Sequence, residues 1–197
     1  MKRYFSPLLM CLLVATAAVA HQGPHDAADH DRMFADAMSK HHEDGVKMAR
    51  LAVDKAESAE LRSMAQTMID DQSREITEMQ SLRGDGPRTS MEEMQKMPGS
   101  MPESQIQRDM VRLEAAQGHE FDAAFTEIMA KHHSSAITMA TDHRPKLKNA
   151  RLKEIARNII EMQSAERKKL LAMHESMEHG HEGMTSSSSE RQRMTKD

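Results

Sequence analysis

Two stretches of the chain carry the same metal-capable side chains. Met38, His41, His42 and Met48 form an M-x2-H-H-x5-M arrangement, and Met129, His132, His133 and Met139 repeat it 91 residues later. Neutral imidazole suits copper, zinc, iron and nickel, whereas thioether sulfur is a soft donor that selects ions such as Cu(I) and Ag(I). At about 100° per residue, Phe34, Met38, His41, Gly45 and Met48 share one helix face, with His42 at its edge. His41 and His132 are therefore expected to point into a helical core beside methionines. A single histidine there is ordinarily a core residue satisfied by its neighbours. Burying the arrangement twice incurs the desolvation cost of a polar ring twice, which favours a metal role.

Other groups have related chemistry. Gln72 lies within an otherwise apolar face with Glu75 at its margin, and Gln163 and Glu166 repeat this. Buried amides need partners. These four residues either orient the imidazole N–H groups around a metal or form polar pairs that fix helix register. Met91, Met94, Met97 and Met101 are closely spaced in the segment MEEMQKMPGSM. They are either soft-metal ligands or the apolar side of a short helix capped by Ser90 and Glu93. Near the C-terminus, His174, Met177, His179 and His181 mix both donor types, fitting Cu(II) through imidazole and Cu(I) through thioether. His21 would add a chelating amine and imidazole if cleavage follows Ala20.

No catalytic constellation accompanies these ligands. G-x-S-x-G, P-loop and H-E-x-x-H motifs are absent, and the lone E-x-x-H is Glu178 to His181. A di-iron bundle enzyme requires several inward Glu and paired E-x-x-H motifs; the corresponding positions read M-x-x-H. The expected protein is not an enzyme. The formal net charge of -4 argues against a nucleic-acid partner.

The elements that must position these residues follow from the repeat. Without a gap, sixteen of the 52 positions from Asp31 to Leu82 are identical to their counterparts from Asp122 to Met173. Apolar residues recur at spacings of three and four, and Pro145 breaks the second copy into two helices. The spacing predicts an all-α four-helix bundle built from two hairpins, residues 31–83 and 122–179. Asp31 and Asp122 suit the role of N-caps. Between the hairpins lie a Met-rich linker, 84–103, and a short helix, 104–118, with Gly118 as its stop. Residues 21–30 and 180–197 are polar and expected to be flexible tails.

Residues 1–20 read as a cleaved secretory signal, with Lys2 and Arg3 before an apolar run ending Ala18-Val19-Ala20. The run falls short of the roughly 20 residues of a membrane span. The signal holds the one Cys and the one Tyr, and the chain of 197 residues has 20 Met, 12 His and no Trp. After cleavage no disulfide, thiolate site or blue-copper centre can form. A periplasmic location is expected, with no membrane contact after cleavage.

At the histidine pairs the chain resembles the domain of unknown function 305 family, a ferritin-like helical family. The likeness rests on Asp122 to Phe125, Met129, His132-His133, Met139-Ala140, Leu152, Ile160, Gln163 and Glu166. In the first copy it rests on Phe34, Met38, His41-His42, Met48-Ala49, Ile69, Gln72, Glu75 and Met79. A Trp that often follows the second helix in this family is missing from both copies. The resemblance implies a ferritin-like bundle and, through CopM-type periplasmic members, copper handling. Together these observations predict a protein that sequesters or buffers copper, as Cu(I), Cu(II) or both, with silver as a further ligand. A periplasmic copper-transfer protein is the expected partner, and the chain is expected to be a monomer or homodimer. The alternatives are a scavenger of Zn, Ni or Ag, a degenerate di-metal enzyme, and a chaperone with flexible Met surfaces.

Overall fold

A computed structural model describes the backbone of residues 24–194 and the side chains of residues 30–179. The expected signal at 1–20, His21 and the side chain of His181 lie outside these described residues. Among the described residues six helices follow in order: α1 (Pro24–Lys55), α2 (Ala59–Leu82), α3 (Met91–Gln95), α4 (Glu103–Ala115), α5 (Gly118–His143) and α6 (Ala150–Met194). No strand occurs among the described residues. No helix there is long and apolar enough to cross a membrane.

The most extensive packing joins α1 to α2 and α5 to α6, and the two hairpins meet chiefly through α1 and α5. Each long helix crosses the interior in three zones. One apolar cluster gathers Met48, Leu61, Met68, Phe121, Phe125, Met129 and Leu170. A second gathers Phe34, Met38, Met79, Met139, Leu152, Ile155 and Ile159. Along the sequence, the polar residues fall between them on every helix: His41 and His42 on α1, Gln72 on α2, His132 and His133 on α5, and Gln163 on α6. All six are buried.

Aspartates tie the hairpins together. Asp31 was expected to cap its own helix, but α1 begins earlier, at Pro24. Its carboxylate instead accepts hydrogen bonds from the backbone N–H of Lys148 and Asn149, both at 2.8 Å, in the turn before α6. Asp122 acts in the same way on the other hairpin, accepting from Glu57 N–H at 2.9 Å and Ser58 N–H at 2.8 Å before α2. The start of α5 thus lies beside the end of α1, and the start of α1 beside the end of α5. The two histidine helices are antiparallel. A spacing rule could not reveal these caps, because each joins residues far apart in sequence.

Other helix boundaries differ from expectation. The short helix ends at Ala115, where Lys55 Nζ donates to the carbonyls of Leu113 and Glu114 at 2.8 and 2.7 Å. Gly118, expected as its stop, instead opens α5. The helices α1 and α6 also continue into the segments expected as tails, starting at Pro24 and reaching Met194.

Replacing Asp122 by Ala strands two backbone N–H groups, a loss of about 2 kcal/mol. Asp31→Ala, whose bond to Lys148 is solvent-exposed, should cost less. Urea unfolding of both variants measures the difference.

Candidate metal centre

His41 and His132 meet where α1 crosses α5. Their ring centroids are 3.8 Å apart with planes tilted by 34°, and both residues are buried. Burial pushes both imidazoles well below the usual 6.5, and the neighbouring histidines push in the same direction. Both rings are therefore neutral near pH 7, the form in which imidazole binds metal.

A hydrogen-bond relay fixes the tautomer of His41. The Ser135 hydroxyl donates its single proton to the Gly99 carbonyl. Its 3.0 Å contact with His41 Nε2 must then have the imidazole as donor. His41 consequently carries its proton on Nε2 and an unshared pair on Nδ1, a buried atom without a protein partner. Both ring nitrogens of His132 are also buried and without a partner. Unpaired polar atoms inside a core are costly, and a metal ion is one group that would satisfy them.

The second histidine of each pair turns to the neighbouring helix. His42 Nε2 lies 2.8 Å from Glu75 Oε2, and His133 Nε2 lies 2.8 Å from Glu166 Oε2. Both Nδ1 atoms are buried and have no hydrogen-bond partner. Gln72 and Gln163 each bury a carbonyl oxygen without a partner in the same layer. Gly45 lets this layer close. A Cβ there would lie 2.5 Å from Gln72 Oε1 and 2.9 Å from His132 Cε1.

The linker covers one side of the histidine crossing. Asp36 anchors its start, accepting from Arg83 at 2.9 and 3.0 Å and from Thr89 N–H at 2.9 Å. Burial alone would raise the Asp36 carboxyl, but these partners hold it below its ordinary value. Farther along, α3 carries the Ser90–Glu93 capping box. Gly99 then lies so close to α5 that a Cβ would sit 2.5 Å from the Ser135 carbonyl oxygen and 2.6 Å from Met139 N. Its φ of +82° also favours glycine. Beneath the linker is a cavity of about 50 Å³ whose lining includes His41, His132, Met91, Met94, Met101 and Met139. Among the described residues no three His, Cys, Asp or Glu side chains form a metal cluster. Two imidazoles with thioethers are a soft-metal donor set, and the residues present fit Cu(I) or Ag(I) better than a hard cation.

The other expected ligands lie apart from this cavity. Met38 packs in one apolar cluster and Met48 and Met129 in the other. Met97 is buried in the cluster with Phe34, so the linker methionines divide between packing and cavity lining. Thr126 Oγ1 contacts His174 Nδ1 at 3.2 Å. His179 is exposed and Met177 half-buried on α6. Ser135 and Gly99 were missed in sequence because a serine in the interior of a helix and a linker glycine carry no signal until the linker is placed.

The model of the domain of unknown function DUF305 matches residues 12–83 and 31–174. CopM in its Cu(II)-bound form is 30% identical, over 74% of this chain and 96% of that one, with a TM-score of 0.59. Its Cu(I)-bound form matches with the same values, and an Ag-bound form obtained by soaking has the same identity and TM-score. A DUF305 fragment from Deinococcus radiodurans is 18% identical, over 75% of this chain and 96% of that one, with a TM-score of 0.61, and shares the fold. Comparison with curated proteins finds no match.

The depressed imidazoles predict a direction for pH dependence. His41, His132 and His143, all lowered first by burial, bind fewer protons folded than unfolded between their folded values and 6.5. Their contribution to stability is complete above 6.5 and is lost as pH falls toward the folded values. The urea midpoint of the metal-free protein should fall on acidification below 6.5, with a shallower slope in a His41→Leu/His132→Leu variant.

Proposed function

The chain belongs to the DUF305 family, and from that premise we propose that it binds copper in the periplasm and buffers or sequesters it there. The cavity between the linker and the α1–α5 crossing is the site of choice. The observation that carries this reading is the convergence of four methionines and two neutral, incompletely partnered histidines on one small cavity. The methionines favour Cu(I), while the imidazoles accept either oxidation state. Silver, which shares the softness of Cu(I), would occupy the same place.

Each residue has a distinct task. His41 offers Nδ1 because Ser135 and Gly99 hold its proton on Nε2, and His132 offers either nitrogen. Met91, Met94, Met101 and Met139 supply sulfur. The linker holds three of the four methionines, so its movement would open the site for loading or delivery. His174, Met177, His179 and His181 on α6 are suited to capture or to transfer to a periplasmic partner. In this reading the protein acts as a metal store through its ligands.

Anaerobic competition against a Cu(I) chelator tests this reading. Met91→Leu/Met94→Leu/Met101→Leu nearly conserves side-chain volume while removing three sulfurs, and should weaken Cu(I) affinity at least ~10-fold. An unchanged affinity in the folded variant would contradict the assignment.

A further inference from the structure

A second pair of histidines lies outside the central polar layer. His143 closes α5 and is 2% exposed, yet neither of its ring nitrogens has a hydrogen-bond partner. Across from it on α1, His30 also buries Nδ1 without a partner. The ring centroids are 6.4 Å apart, with planes inclined by 59°. An imidazole nitrogen binds a first-row metal at ~2 Å, so two rings sharing one ion have centroids roughly 5–6 Å apart. A small side-chain rotation would bring His30 and His143 into that range.

The other copy provides an internal comparison. Applying the offset of 91, His30 corresponds to Phe121 and His143 to Ala52. Both counterparts are fully buried in the opposite apolar cluster. Phe121 stacks on Phe125 at 6.0 Å, while His143 stacks on Phe34, the counterpart of Phe125, at 6.1 Å. At one end the fold is satisfied by apolar packing, and at the other the same positions hold two imidazoles with unused nitrogens. Packing alone does not require them.

The surroundings hold the pair in place. Asp31, next to His30, binds the backbone of Lys148 and Asn149 just beyond α5. This contact fixes the start of α1 against the turn that follows His143. Asp142 places Oδ2 3.7 Å from His143 Nε2, and Lys146 holds the same oxygen at 2.6 Å. The Lys146 charge is thereby paired, and a carboxylate stands beside the rings. Methionines line the central cavity, whereas this donor set is imidazole with nearby carboxylate, which selects borderline divalent ions.

We infer that His30 and His143 form a second metal site, distinct from the methionine cavity, for a divalent cation of the Cu(II) or Zn(II) class. Water completes its coordination, so the ion can exchange. A chain with both sites would hold soft Cu(I) under the linker and a divalent ion at the junction of α1 with the α5–α6 turn.

The test uses Zn(II) and Cu(II) on the purified chain, beside a His30→Phe/His143→Ala variant that reproduces the packing of the other copy. Zn(II) should shift the imidazole nitrogen resonances of both His30 and His143 in the unaltered protein. The variant should fold, bind one fewer equivalent of Zn(II) or Cu(II), and keep its Cu(I) affinity. Equal divalent stoichiometry in the two proteins, or unshifted His30 and His143 resonances, would overturn the inference. The resonances decide the matter without the variant should it fail to fold. Because Cu(I) affinity is read separately, loss of the cavity assignment would be distinguishable from loss of this one.

Discussion

Four imidazoles are buried midway along a helical core, and their ring nitrogens need partners there. Each long helix contributes polar residues to the layer that separates the two apolar clusters. Glu75 and Glu166 answer the outer histidines, and Ser135 answers His41. His132 remains without a protein partner. Such a layer lowers stability relative to an all-apolar core, and the two clusters on either side supply the compensating burial. Metal binding would convert the cost of the layer into affinity, since ligands already dehydrated and neutral need no further reorganisation.

The two copies share a scaffold but differ around the layer. Gly45, which admits Gln72 and His132 close to α1, corresponds to Ala136. Ser135, the partner of His41, corresponds to Asp44, which binds Lys40 and Lys47 instead of His132. The linker covers the crossing from one side, placing Met94 and Met97 against one cluster and Met101 against the other. A symmetric pair of hairpins thus acquires a single methionine-lined cavity. Its asymmetry comes from a few side chains and the connection between the hairpins.

Much of this organisation was legible before the fold was known. Spacings of three and four placed His41 and His132 inward on their helices, and both are buried. The positions of Glu75 and Glu166 at the face margins are what bring them to His42 and His133. Long-range contacts were hidden. The caps by Asp31 and Asp122 and the relay from His41 through Ser135 to Gly99 depend on how hairpins and linker pack. Local periodicity carries no information about that packing. The buried pair of His30 and His143 was hidden for the same reason, since its members lie on different helices at one end of the bundle.

Copper K-edge X-ray absorption of the Cu(I)-loaded protein reads which atoms surround the ion. A first shell containing both thioether sulfur and imidazole nitrogen is predicted for an ion in the cavity between the linker and the histidine crossing. A shell of nitrogen and oxygen alone, with no sulfur, would contradict it.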